Sequence, residues 1–317
     1  MIECIIDCDP GIDDALALIF ASKLRTLKIK AITTVFGNST VENTSLNALK
    51  ILDLIHRTDI RVYRGSASPI IKNYRFPAYN YLDDEINPHG ANGLANIVLP
   101  QPTQKLSESN AIDLIINTIL ENPKRISIIA IGPLTNIAIA LLKSPEIAQS
   151  IKEIIIMGGA IKVQGNINKF SEFNIWSDAE AAKIVFNMMS DKIILVPLDV
   201  TRQIIFKNLE TFNKNNLYNK FLYNILNFYS TFHLNNCGFF GTILHDPFAV
   251  GVAENRDYCD IREIPLDVEI EDRNKYGKVF INLEKDKENK KIKTCLYISL
   301  KNIEKFLNYF EKKLLNF

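Results

Sequence analysis

Short aliphatic runs that alternate with stretches of helical spacing constrain this chain more than any other feature. The runs are Glu3–Cys8, Ile29–Phe36, Arg61–Tyr63, Ile126–Ile131, Ile151–Met157 and Ile193–Pro197. Between them, Asp13–Leu24, Val41–His56, Ala111–Leu120, Leu134–Leu142 and Asp178–Met188 repeat apolar residues at helical intervals. A strand without a polar face must be covered on both sides, and parallel strands need a long crossover between them. The pattern predicts an α/β fold with a mostly parallel central sheet flanked by helices. Beyond it, residues 208–236 read as helical and rich in aromatics, two or three strands fall within 265–298, and a last helix starts at Lys301. The charged run Lys285–Lys293 reads as a solvated hairpin turn. No repeat or linker divides the chain, so residues 1–317 are expected to form a single domain with a small C-terminal β addition.

Charge and cysteine usage narrow the function classes. Lys plus Arg number 37 against 36 acids, which gives no electrostatic reason to expect nucleic acid or an anionic membrane as partner. The longest apolar stretch, Ile126–Leu142, is broken by Gly132-Pro133 and Thr135-Asn136, so it reads as strand, turn and helix and not as a membrane span. Cys4, Cys8, Cys237, Cys259 and Cys295 contain no CxxC pair and read as reduced, buried thiols. With acids where a secretory signal would carry Lys or Arg, the expected location is cytoplasmic. Asn is abundant throughout, so an Asn in a loop is first read as a turn residue or a cap.

Ligands of an open parallel sheet bind where the strands end, and the polar residues gather there. Asp7-Cys8-Asp9-Pro10-Gly11-Ile12-Asp13-Asp14 closes the first strand and opens a helix with four carboxylates. A helix N-terminus welcomes one or two acids. Four repel one another unless their pKa values rise or a cation joins them, and hard oxygen donors favour Ca²⁺ or Mg²⁺ over zinc. Further loops hold Phe36-Gly37-Asn38, Ile131-Gly132-Pro133-Leu134-Thr135-Asn136, Met157-Gly158-Gly159, Gly165-Asn166 through Glu172-Phe173-Asn174, and Leu244-His245-Asp246-Pro247. Residues 66–106 lack periodicity and carry five prolines, as a functional loop would. Of the histidines, His56 reads as a surface or capping residue, and His233 as either a helix-end residue or a neighbour of a base pocket. Phe232, Phe239 and Phe240 could stack on a planar ligand.

Taken in order, DxDPGxDD, GN, GPLTN, MGG, EFN and HDP resemble the inosine–uridine-preferring nucleoside hydrolase family over essentially the whole chain. The resemblance implies the Rossmann-like nucleoside hydrolase fold and Ca²⁺-dependent hydrolysis of the N-glycosidic bond of ribonucleosides to base and ribose. It implies metal ligation by Asp9, Asp14, Asp246 and the main-chain carbonyl of Ile131, with Asp9 also the general base and Asp7 a supporting partner. Asp13, Asn38, Asn166, Glu172 and Asn174 match the positions that hold ribose hydroxyls, and Met157 lines the sugar pocket. His245 matches a position associated with the leaving base, and His89 lies in a loop that closes over the site. A homodimer or homotetramer is implied as well. The chain has Asn168-Lys169 where the family commonly has Thr-Pro.

The chemistry suits these residue types, because an oxocarbenium-like sugar is stabilised by surrounding acids and amide oxygens. The rival readings are a nucleoside- or calcium-binding protein without catalysis and a haloacid-dehalogenase-like phosphatase with Asp7 as nucleophile. The phosphatase would require Thr or Val after the second Asp, and Pro10-Gly11 stands there.

Overall fold

A computed structural model describes residues 1–71, 87–212, 216–288 and 290–315. Its strands are β1 (Ile2–Cys8), β2 (Leu27–Thr34), β3 (Val62–Arg64), β4 (Ile126–Ala130), β5 (Glu153–Met157), β6 (Ile193–Val196), β7 (Ile205–Phe206), β8 (Thr242–Ile243), β9 (Asp260–Ile264), β10 (Leu266–Val268), β11 (Val279–Ile281) and β12 (Ile292–Tyr297). The helices are α1 (Ile12–Ser22), α2 (Val41–Leu54), α3 (Ala111–Glu121), α4 (Thr135–Lys143), α5 (Ile147–Ser150), α6 (Phe173–Ser177), α7 (Ala179–Met189), α8 (Leu198–Thr201), α9 (Leu217–Cys237), α10 (His245–Glu254), α11 (Leu283–Lys287) and α12 (Leu300–Leu315). Eight strands form the main sheet in the order β3-β2-β1-β4-β5-β6-β12-β9, and every pairing is parallel except that of β9 with β12. The expected α/β architecture, a mostly parallel central sheet flanked by helices, is the observed one.

The sheet separates two apolar layers because its central strands are buried on both faces. On one side α1, α9, α10 and α12 pack around Phe20, Phe248, Phe306 and Phe310, with Phe20 and Phe306 edge to face at 5.9 Å. On the other, α3, α4 and α7 bury Ile115, Leu141, Val185 and Phe186 against Ile128, Ile154 and Leu195. Asparagine caps several helices, as its abundance in loops suggested: Asn110 and Asn216 accept from the amides of Asp113 and Asn219. From β1 the chain steps outward to β2 and β3, then returns and steps the other way through β4, β5 and β6. The reversal leaves a crevice at the carboxyl ends of β1 and β4.

Between residues 265 and 298 three strands form, within the expected two or three: β10 and β11 make a separate antiparallel pair, whereas β12 joins the main sheet and pairs there with β9, which lies just ahead of that range. The charged run is not a hairpin turn. Residues Leu283–Lys287 form helix α11, and the Lys285 side chain turns inward, its Nζ 3.0 Å from Asp267 Oδ1 with both side chains 9% exposed. Four cysteines are buried as expected, but Cys237 is exposed. Part of the proline-containing loop, with Pro77, lies outside the described residues. Among the described residues no helix is long and apolar enough to cross a membrane.

Candidate active site

The crevice opens into a cavity of about 840 Å³. Of the residues singled out in the sequence, Asp13, Asn38, His89, Ile131, Met157, Asn166, Glu172, Asn174, His233, His245 and Asp246 line it. Asp9 and Asp14 are not among the lining residues, and both are fully buried.

The acid-rich turn folds around its own carboxylates. Asp14, at the start of α1, accepts from the amides of Asp9 (3.1 Å) and Gly11 (3.0 Å), and so caps the helix it belongs to. Asp9 Oδ2 accepts from the Asn38 amide at 2.7 Å, while Asp9 Oδ1 has no partner. Two glycines make room for this carboxylate: an ideal Cβ at Gly37 would sit 1.9 Å from Asp9 Oδ2, and one at Gly132 would sit 2.6 Å from Oδ1. The Asn38 side chain donates to Asp9 O and Asp14 Oδ2, so its donors serve the acids and its Oδ1 is left for a ligand. Beneath them Asp7 Oδ1 accepts from the Thr33 hydroxyl and the Asn136 amide.

One oxygen from each of Asp13, Asp14 and Asp246 lies within 4.8 Å of the others. Burial is the main cause that raises the pKa of Asp9, Asp13 and Asp246 well above the carboxylate range, reinforced by neighbouring carboxylates. It also pushes Asp14 up to about 6 and Asp7 to about 7. Orphaned buried oxygens on Asp9 and Asp13 beside this cluster are costly unless something positive meets them. Hard oxygen donors so arranged fit a divalent cation of the calcium or magnesium type.

The residues expected to meet a sugar are tied to the backbone around them. Glu172 caps α6 by accepting from Asn174 and Ile175, and also from Gly159 of the loop after β5. The Asn174 amide donates to the Ile131 carbonyl at 2.9 Å and to Met157 O at 3.2 Å, which leaves its own oxygen free to face the cavity. The carbonyl of Ile131 therefore offers its second lone pair to any cation. Asn168 Oδ1 accepts from the amides of Phe170 and Ser171, so the Asn-Lys departure closes a turn that leads to Glu172.

A ladder of rings forms the opposite wall. His89 lies 5.4 Å from Tyr229, Tyr229 4.4 Å from His233, and His233 stacks on Phe239 at 5.4 Å and 13°. His233 ends the buried stripe of α9, one turn past Tyr229, so the two readings of it merge. Its Nδ1 donates to Gly241 O, which makes Nε2 the acceptor of the neutral ring. His89 Nδ1 accepts from the Ile12 amide at 3.1 Å, which leaves Nε2 as the donor. His245 Nδ1 meets the Thr201 hydroxyl at 2.8 Å. Burial is the largest cause that drives the pKa of His89 and His245 down to about 3, which favours the neutral ring. Phe232 lines the cavity, whereas Phe240 is exposed at 42%. Arg202, Asn236 and Cys237 also line it without any sequence pattern to mark them.

Comparisons with known proteins point to one family. The family model described as inosine-uridine preferring nucleoside hydrolase matches residues 4–308. Probable uridine nucleosidase 1 of Oryza sativa subsp. japonica is 35% identical over 270 residues, 84% of this chain and 81% of the relative. Pyrimidine-specific ribonucleoside hydrolase RihA of Escherichia coli O81 is 38% identical over 250 residues, 78% of this chain and 77% of the relative. Among solved structures, a purine-preferring ribonucleoside hydrolase from Gardnerella vaginalis superposes with a TM-score of 0.91, 29% identity and 98% of each chain covered.

Proposed function

Since the chain belongs to the inosine-uridine preferring nucleoside hydrolase family, we propose that it is a Ca²⁺-dependent ribonucleoside hydrolase whose substrates are of the inosine, uridine and cytidine type. The observation that carries the reading is the set of orphaned, buried carboxylate oxygens of Asp9 and Asp13 beside the Asp13–Asp14–Asp246 cluster under the cavity. Asp9, Asp14, Asp246 and the Ile131 carbonyl are the residues we assign to the cation. When bound, it would offset the repulsion of the acids and make a neighbouring water more acidic.

Asp9 is fixed through Oδ2 and keeps Oδ1 to take the proton of the attacking water. Asp13, the Asn38 and Asn174 oxygens, Asn166 and Glu172 hold the ribose hydroxyls, and their negative and partly negative atoms favour an oxocarbenium-like sugar. Met157 packs against the sugar. The base departs along the ring wall, where His89, His233 and His245 offer ring nitrogens as hydrogen-bonding partners and burial opposes their protonation. His89 donates and His233 accepts, a pair suited to a polar planar edge.

We read residues 1–317 as one catalytic unit, cytoplasmic on its cysteine usage, and a homodimer or homotetramer, to be checked by light scattering. The functional test is release of reducing sugar from inosine, uridine, cytidine and 2′-deoxyuridine, with and without chelator, and with bound metal measured. Ribonucleosides are expected to turn over and the deoxynucleoside to lag by about a hundredfold or more. Equal rates on the deoxynucleoside would refute the ribose assignments, and binding without turnover would select a non-catalytic protein.

A further inference from the structure

The loop between β5 and α6 carries Asn166 to the cavity, yet Gln164 and Asn166 are exposed and only Gly165 between them is buried. An exposed loop has little packing to fix it, so hydrogen bonds must set where Asn166 points. Its Oδ1 is engaged by the Phe173 amide at 2.9 Å and its own amide reaches Ser171 O at 3.1 Å, which secures the side toward α6. The other side is secured by the segment that follows β6. The Asp199 carboxylate accepts from the amides of Ile161 (2.9 Å) and Lys162 (2.8 Å). One turn later Arg202 donates from Nη1 to Gln164 O at 2.5 Å and from Nη2 to Gly165 O at 2.9 Å, immediately before Asn166. Between these two grips, Thr201 meets His245. A single short stretch thus ties the loop to the element that bears His245.

We propose that Arg202 is a positioning residue for sugar recognition, its two-pronged hold on the Gln164 and Gly165 carbonyls aiming Asn166 into the cavity. A planar guanidinium can reach two successive carbonyls at fixed spacing, which a single ammonium cannot reproduce. The assignment rests on the ribonucleoside reading of the site, so its test needs a readout that does not depend on turnover.

That readout is amide hydrogen exchange of the unliganded protein. Arg202→Gln is expected to speed exchange across residues 161–171 by about tenfold or more and to leave α1 and α7 unchanged, which also reports that the variant is folded. In assays, Arg202→Gln should lower kcat/KM for a ribonucleoside by about thirtyfold, and Arg202→Lys should recover part of the loss. Combined with Asn166→Ala, it should cost no more than Asn166→Ala alone, because both changes remove one contact. Losses that multiply, or loop exchange that stays as in the wild type, would overturn the role of Arg202. A wild type inert toward every ribonucleoside would instead sink the functional reading, and the exchange data would still decide whether Arg202 holds the loop.

Discussion

Asp9 shows how tightly single atoms are specified here. Its carboxylate fits only because Gly37 and Gly132 lack a Cβ, and its one hydrogen-bonded oxygen leans on the amide beside Gly37. Gly37→Ala should therefore displace the carboxylate and cut kcat by about a hundredfold or more, while melting within a few degrees of the wild type. Wild-type turnover in this variant would remove Asp9 from the role of base. The acids themselves were legible in the sequence, because four carboxylates at a strand end are more than a cap needs. The division of labour among them was not: Asp14 is both cap and cluster member, and Asn38 spends its side-chain donors on Asp9 O and Asp14. Arg202 left no trace in the sequence, since its partners are main-chain carbonyls and carbonyls have no residue identity.

The strands β1, β2, β4, β5 and β6 were legible as aliphatic runs, and so was the short edge strand β3. At the opposite edge β9 (Asp260-Ile-Arg-Glu-Ile) was not, because it is an antiparallel strand with charged residues, the composition that discourages pairing with other chains. Helix α11 was hidden for a different reason: five charged residues in a row of surface type conceal one lysine that turns inward. Lys285 donates to Leu266 O as well as pairing with Asp267, so Lys285→Ala removes the nearest cation from a buried carboxylate, leaving it the Val268 amide, Asn282 and Lys183 at 3.9 Å, and should cost about 1–3 kcal/mol in urea unfolding. Burial opposes ionisation of Asp267, but the Val268 amide and Lys285 outweigh it and hold its pKa below the usual value. Its contribution is accordingly present above the unfolded carboxylate pKa and is lost as pH falls through the folded one. The wild type should lose stability over that acid range more steeply than Asp267→Asn, and parallel curves would count against the pair.

Across the whole molecule, net neutrality coexists with an interior that concentrates negative charge. Asp14 and Asp7, raised to about 6 and about 7, bind protons in the folded protein that the unfolded chain has already released. Their contribution is therefore full below pH 4 and is lost as pH rises toward 7, by about 1.4 kcal/mol per pH unit for each proton. Chelated protein should melt progressively lower than calcium-loaded protein between pH 5 and 8, as followed by calorimetry. A gap that stays constant with pH would argue against a cation among these acids. The two walls of the cavity also come from different parts of the architecture. The acidic side grows from the turns after β1, β2, β4 and β5, whereas most of the ring wall, Tyr229, Phe232, His233 and Phe239, comes from α9 and the residues just after it, with His89 and His245 reaching it from other elements. Relatives named for uridine, for pyrimidines and for purines share this scaffold. On the proposed reading, in which the base meets the ring wall, exchanging a turn or two of α9 would alter base preference while leaving the acids at the strand ends untouched, a modularity that makes the helix the place to engineer new specificities.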